Sequence, residues 1–310
     1  MIPEPLSRIE QSEAVSAAGL GQAALRERHL PWPDAAILAD LFQLRAEADA
    51  AIHADAAAGR GQADLSGYPA GFCKPIRDFG LARLLASAAA DAPRPAFRAV
   101  AGFRAAGGIV KGVWGVQKGI YFQNAIQLGD LWCDLANDTV VVTRPAVEVC
   151  PLAEARFEEL ASFEQFTRVA ACYWNQEAYP NHVFPALAAV LPVILVSSTG
   201  QLRLPAPKTL LPRNMRLDYT LAESFLGGGE WAGKRLPDAV LDRLARASRV
   251  ESSWFAQVPV WCRRFEPSLG SPDAARLIEA EREAVRGLGE AAFIRRFFEM
   301  IRCTSVPLIG

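Results

Sequence analysis

The stretch that decides the fold is residues 120–134, IYFQNAIQLGDLWCD. Two runs of mixed apolar and polar residues flank Gly129-Asp130, and a glycine–aspartate pair in that position predicts a β-hairpin. Side chains alternate between the two faces of a strand, so Asn124 shares a face with Phe122. The sequence therefore predicts a polar amide on an otherwise apolar sheet face.

A partner for this amide is expected on the next strand. A buried amide without a hydrogen bond costs about 1–3 kcal/mol, so Asn124 should have one. A turn at Gly129-Asp130 brings Asn124 opposite Asp134 or its neighbour, within reach of an amide-to-carboxylate contact. The hairpin is thus expected to join Asn124 to Asp134.

Similar turn signals recur on both sides of this hairpin at intervals of about ten residues, as in consecutive antiparallel strands. The predicted strands are residues 96–104, 109–116, 120–128, 131–134 and 139–149. A helix precedes them, so the predicted class is α+β, with a helix followed by an antiparallel meander and helices on either side.

A cysteine opens the helix before the meander. Residues 71–75 read GFCKP, and Pro75 suits the first turn of a helix that is predicted to run to about Ala90. Gly71 allows the backbone to bend sharply. A thiolate at Cys73 would be stabilised by the positive end of the helix, which is the usual setting of a reactive cysteine.

The flanking regions are predicted to be mainly helical. The predicted helices are residues 6–27, 33–58, 152–174, 217–225, 238–248 and 272–302, with one or two strands in a proline-marked segment at 179–212. The predicted organisation is a helical segment at 1–62, a core at 63–150 and a mostly helical region at 151–310. A single composite domain is the alternative.

Composition argues against several classes of partner. The net charge is −1 and the sequence pI is about 6.4, which gives no electrostatic reason to expect nucleic acid. The longest apolar run, residues 184–196, contains two prolines and is shorter than the roughly 20 residues that cross a bilayer. The first residues lack the pattern of a secretion signal, so a cytoplasmic protein is expected.

No cofactor or metal is expected either. The six cysteines and three histidines are dispersed without a Cys-x-x-Cys pair, which argues against a metal cluster and a disulfide framework. The glycine run at 227–229 lacks the lysine and hydroxyl residue of a phosphate loop.

The order of these motifs resembles the transglutaminase-like branch of the papain-like cysteine enzymes, over residues 68–140 only. That resemblance implies Cys73 as nucleophile, Asn124 at the position of the family's histidine and Asp134 as the orienting carboxylate. It also implies an acyltransferase or amide hydrolase that acts on an amide, thioester or peptide-like substrate. Backbone N–H groups at the helix start would then stabilise the oxyanion.

The chain departs from that family at one decisive position. Asparagine donates and accepts hydrogen bonds but takes up no proton at neutral pH, so Asn124 cannot serve as a base. Either the site is a non-catalytic relic, or another base serves, for which His182 is the candidate. A binding or scaffold protein that holds a peptide or partner chain is therefore the alternative to an enzyme.

Each of these residues also has a purely structural interpretation. Cys73 is then a packed thiol, Asn124 and Asp134 form a network that fixes the hairpin, and His182 is a loop or core histidine.

Overall fold

The computed structural model describes residues 13–16, 20–60, 64–86, 94–231, 233–249, 259–262 and 273–303. Its contacts divide the chain into two units, one of residues 12–159 and one that contains residues 160–310. Each unit combines helices with an antiparallel sheet, so the predicted α+β class is confirmed. The boundary falls at residue 160 rather than near 150, and the N-terminal helices belong to the same unit as the meander.

The first unit has four helices followed by five strands among its described residues. The helices are α1 (Leu20–His29), α2 (Ala35–Ala57), α3 (Cys73–Ala86) and α4 (Pro95–Ala105). The strands are β1 (Val110–Gln117), β2 (Tyr121–Leu128), β3 (Leu131–Asp134), β4 (Glu148–Pro151) and β5 (Phe157–Glu158). They form one antiparallel sheet in the order β4-β3-β2-β1-β5.

The register of the central hairpin sets which residues share a face. Leu128 pairs with Leu131, and Ile126 pairs with Cys133. These four side chains lie on the face that packs against α2, α3 and α4. The opposite face carries a smaller apolar cluster centred on Trp132. Asn124 belongs to the helix-covered face, because it alternates in step with Ile126 along β2.

Local signals explain why α2 and α3 form where they do. The carboxylate of Asp34 accepts hydrogen bonds from the N–H groups of Ala36 and Ile37, which caps α2. At α3, the Phe72 carbonyl accepts the first helical bond, from the Ile76 N–H. Helix α3 packs on β1 and β2, and α2 packs on α3 and α4.

Buried arginines tie these helices to the rest of the unit. Arg45 on α2 donates to the Asp138 carboxylate and to the Leu135 carbonyl just after β3. Arg77 on α3 lies over the sheet at Gly112 and pairs with Glu13. Removing one partner of a buried ion pair typically costs about 3–5 kcal/mol, so these contacts restrict how the helices sit on the sheet.

The first predicted strand is wrong, because residues 96–104 lie in helix α4. Pro95 occupies its first turn, where a missing N–H is tolerated. Phe97 and Val100 are three residues apart and both are buried, which is a helical period. The recurrence of alanine in this segment was the signal for helix.

Two other element boundaries in the first unit differ from the predicted ones. The segment at 139–149 is mainly turn, with a 3-10 helix at Asn137–Thr139 before it, and the strand is β4. Residues 13–16 are not helical, so the predicted helix at 6–27 is wrong there, and the described helix starts at Leu20. The predicted end of α3 at 87–90 lies outside the described residues.

The second unit alternates short strands with helices. The helices are α5 (Phe163–Trp174), α6 (Pro185–Ala188), α7 (Leu210–Arg216), α8 (Thr220–Gly227), α9 (Asp238–Arg249), α10 (Ala274–Val285) and α11 (Glu290–Arg302). The strands are β6 (Gln176–Pro180), β7 (Val193–Ser197) and β8 (Leu202–Arg203), paired antiparallel in that order. The apolar run at 184–196 is buried and contributes α6 and the start of β7.

Two predicted helices of this region are divided or shortened. The predicted helix at 152–174 begins only at Phe163, where the Ser162 hydroxyl caps it. The predicted helix at 272–302 is two helices, because the chain turns at Gly287 with φ +79°. Among the described helices, none is both long and apolar enough to cross a bilayer.

Candidate functional site

Cys73 is the first residue of α3, and Gly71 in the preceding turn has φ +80°, a conformation that favours glycine. The helix start points the thiol towards β2. The Nδ2 atom of Asn124 lies 3.2 Å from the Cys73 Sγ. The structure thus brings together two of the residues that the sequence singled out, across 51 positions of the chain.

The Cys73 thiol is neutral in this setting. Burial raises its pKa above the ordinary thiol value, and the nearby negative charge of Asp134 acts in the same direction. The hydrogen bond from Asn124 opposes this shift without cancelling it. The helix start therefore does not produce an activated thiolate at Cys73.

Asp134 lies on the opposite face of the sheet, so the predicted contact between Asn124 and Asp134 is wrong. Its Oδ2 accepts a hydrogen bond of 2.6 Å from Gln123 Nε2, and its Oδ1 accepts one of 2.7 Å from the Ala136 N–H. The turn pairs Leu128 with Leu131, which places Asp134 beside Ala125 and in step with Gln123. A shift of one residue in the pairing of β2 with β3 decides whether Asp134 lies on the face of Asn124 or on that of Gln123.

Asp134 is fully buried, and burial raises its pKa to about 7. Hydrogen bonds from Ala136 and Gln123 limit that rise. Gln123 is the residue that the sequence reasoning missed. A two-residue turn at Gly129-Asp130 places Ala125 opposite Asp134, and Gln123 shares the face of Ala125 on β2. These two facts together would have identified Gln123 from the sequence.

His182 belongs to the second unit and lies two residues after the end of β6. Both of its ring nitrogens are buried and have no hydrogen-bond partner among the described residues. Burial lowers its pKa to about 4, and the positive charge of Arg235 contributes, so the imidazole is neutral at physiological pH. A role for His182 as the base for Cys73, which lies in the first unit, stays a prediction.

An aromatic pair adjoins Asn124 on the helix-covered face. Trp114 on β1 is the direct strand partner of Asn124. Its ring stacks on Phe122 at a centroid distance of 5.3 Å and an interplanar angle of 24°. Phe122 is buried, whereas Trp114 is only partly so. The thiol of Cys73 and the amide of Asn124 thus lie near a stacked aromatic pair of which Trp114 is only partly buried.

Asn124 also keeps an unused hydrogen-bonding atom. The residue is 5% exposed, and its Oδ1 has no partner among the described residues. A buried carbonyl oxygen without a donor costs free energy, so the hydrogen-bonding capacity of Asn124 is only partly satisfied.

In the part of the chain that the structure describes, no group of three His, Cys, Asp or Glu side chains is arranged to hold a metal ion. Comparison of the chain with models of known protein families finds no match, and comparisons with curated proteins and with solved structures find none either.

Proposed function

We propose that the unit of residues 12–159 is a diverged transglutaminase-like core that binds an amide or peptide-like ligand at Cys73 and Asn124 without transferring an acyl group. The observation that carries the proposal is the hydrogen bond between the Cys73 thiol and an amide, at 3.2 Å, where a cysteine enzyme has an imidazole. The protein then acts as a binding or scaffold protein.

Acyl transfer needs a thiol, a base and a group that orients the base, and these three do not occur together at this site. A thiol must lose its proton to a base in contact with it, and a third group must orient that base. Asn124 takes up no proton, and the pKa of the half-buried Cys73 thiol is raised. Asp134 hydrogen-bonds to Gln123 on the other face, so it cannot orient a group at position 124.

Binding, by contrast, suits the same side chains. The unpartnered Oδ1 of Asn124 accepts a hydrogen bond from a ligand N–H. The partly exposed indole of Trp114 offers a flat apolar surface beside it, and buried aromatic side chains dominate the energetics of most recognition sites. A primary amide or a peptide backbone supplies both an N–H donor and a carbonyl, which matches this pair.

The experiment combines a binding titration with an activity assay. A peptide blocked at both ends and containing one glutamine is titrated into the full chain, while the side-chain NMR signals of Asn124 and Trp114 are followed. We expect both signals to shift saturably, and Trp114→Ala to abolish the shift at Asn124. Phe298→Ala, at an exposed phenylalanine of the second unit, is the matched control and leaves binding unchanged.

The same mixture with hydroxylamine reports acyl transfer, because a glutaminyl acyl-enzyme is captured as a hydroxamate. We expect no hydroxamate above the level of Cys73→Ala. Hydroxamate that depends on Cys73 would contradict the non-catalytic part of the proposal and favour an acyltransferase or amide hydrolase. Absence of any shift in the titration would contradict the binding part.

A further inference from the structure

Helix α10 of the second unit borders a surface groove. The groove encloses about 290 Å³, and its lining includes one side of α10, Arg296 of α11 and Trp261. Arg276, Ala280 and Ala284 of α10 take part at a spacing of four residues, which places them one above another on the helix surface. Small-molecule sites span roughly 300–1,000 Å³, so this groove suits a ligand at the small end of that range.

Most of the lining is apolar. Trp261 and Leu277 contribute the larger apolar surfaces, and Ala186, Ala280 and Ala284 contribute smaller ones. Trp261 is only partly buried and Ala280 is exposed, so part of this apolar surface is in contact with water. Covering such a surface with an apolar group is favourable, because it removes apolar area from water. The lining therefore favours a ligand with a compact apolar body.

Arg296 is held by two neighbours within the lining. Its Nε donates a hydrogen bond of 3.1 Å to Glu281 Oε1, and its Nη2 donates to Oε2 of the same carboxylate. Its guanidinium also lies over the Trp261 ring, 4.0 Å from the ring centroid. Glu281 is only 5% exposed, and a buried carboxylate needs such a partner. Arg296 therefore balances the charge of Glu281 and supports the Trp261 ring.

Arg276 has a different environment at the same groove. Its side chain is exposed and has no ion-pair partner among the described residues, whereas its backbone N–H donates to the Asp273 carboxylate. Because Arg296 and Glu281 balance each other, Arg276 gives the lining one unbalanced positive charge. A guanidinium binds a carboxylate through two parallel hydrogen bonds, which fix the orientation of the anion.

We propose that this groove binds a small aromatic carboxylate, whose carboxylate pairs with Arg276 and whose ring lies against Trp261 and Ala280. The single unbalanced charge of the lining matches one carboxylate, and the apolar surface matches one ring. Aromatic rings make favourable offset or edge-to-face contacts with an indole. A neutral ring would leave the charge of Arg276 without a partner, and an inorganic anion would leave the apolar lining uncovered. A ligand that has both parts therefore fits best.

The test is a titration of the full chain with benzoate, followed by NMR through the indole N–H signals of isotope-labelled tryptophan. Trp261→Phe identifies the Trp261 signal among those of the seven tryptophans. We expect that signal to shift saturably with benzoate. Benzamide has the same ring without the charge and should bind about tenfold more weakly, because a charge-assisted hydrogen bond is lost. Inorganic phosphate at the same concentrations should neither shift the signal nor displace benzoate.

Two variants separate the charged part of the groove from the apolar part. Arg276→Gln should lower the affinity for benzoate to that for benzamide and leave benzamide binding unchanged. Ala280→Leu fills the groove from an exposed helical position, where leucine is a good helix former, and should abolish binding of both compounds. Arg168→Gln is the matched control, at an exposed arginine of the same unit outside the lining, and should bind both compounds as the parent does.

A Trp261 signal that benzoate leaves unmoved in the parent chain would overturn the proposal. Equal affinities for benzoate and benzamide would overturn it as well, because the groove would then recognise the ring alone. Displacement of benzoate by inorganic phosphate would have the same consequence, since the site would then bind any small anion. The parent chain decides these three outcomes, so the test stands even where a variant fails to fold.

Discussion

The buried polar residues of the central hairpin act on two separate faces. Asn124 donates a hydrogen bond to the Cys73 sulfur on the helix-covered face, and Gln123 donates one to the Asp134 carboxylate on the opposite face. The pKa of the group that each amide contacts is raised: the Cys73 thiol is neutral on one face, and the Asp134 carboxyl has a pKa of about 7 on the other. The three residues that the sequence pattern groups together are therefore divided between the two faces of the sheet, with Cys73 and Asn124 on one and Asp134 on the other.

Asp134 provides a pH prediction with a definite sign. Its pKa rises from 3.8 to about 7 on folding, so the folded state binds the proton more tightly than the unfolded state. Its contribution to stability is fully present below about pH 4 and is lost as the pH rises to about 7. The free energy of unfolding of the wild type should therefore fall as the pH rises from about 4 to about 7, and that of Asp134→Asn should not show this fall.

Urea unfolding at pH 5 and at pH 8 measures this difference. Asp55→Asn, at an exposed carboxylate, should keep the wild-type pH dependence. An Asp134→Asn variant with the same pH dependence as the wild type would show that Asp134 titrates normally in the folded protein.

At the scale of elements, the close approach of α3 to the sheet holds Cys73 at Asn124. Gly80, near the middle of α3, packs tightly against Leu135, the residue that follows β3. A Cβ atom there would lie 2.2 Å from Leu135 Cδ1, and Leu135 is 1% exposed. The glycine is therefore required by packing, although it lowers helix propensity.

Gly80→Ala should destabilise the protein by about 1–3 kcal/mol, the usual cost of overpacking a core. Gly21→Ala is the control, because Gly21 lies in α1 with nothing within 4 Å of its Cβ position. It should be neutral or stabilising by about 0.5–1 kcal/mol. Denaturant unfolding of both variants decides the matter, and equal gains in stability would mean that α3 has room to move.

The elements differ in how well the sequence predicted them. The hairpin β2–β3 and the helix after Cys73 carry strong local signals, namely a Gly129-Asp130 turn and Pro75, and both are where the sequence placed them. The apolar residues of helix α4 also fit the pattern of a strand, so the sequence alone predicts the wrong element there. The register was left open by one residue, and that residue decides whether Asp134 faces Asn124 or Gln123. The local sequence pattern does not determine the register of the hairpin or the type of element at residues 96–104, and tertiary packing determines both.

At the scale of the whole molecule, the chain has two units with separate sheets, and the sequence offered no linker composition between them. The candidate site lies in the first unit. Of the residues singled out from the sequence, Cys73, Asn124 and Asp134 belong to the first unit and His182 to the second. Long-range contacts such as that of Arg45 with Asp138 carry no local sequence signal, so only the fold reveals them.

The pH dependence of Cys73 alkylation in the full chain tests the central claim, an unactivated thiol, most directly. Iodoacetamide labelling is followed by mass spectrometry from pH 5 to pH 10, with exposed Cys172 as the internal reference. We predict a Cys73 rate that rises smoothly with pH and stays below that of Cys172. Asn124→His, which places an imidazole beside the thiol, should add a plateau at pH 5 to 6. A plateau already present in the wild type would contradict the account, and its loss in His182→Ala would identify the base.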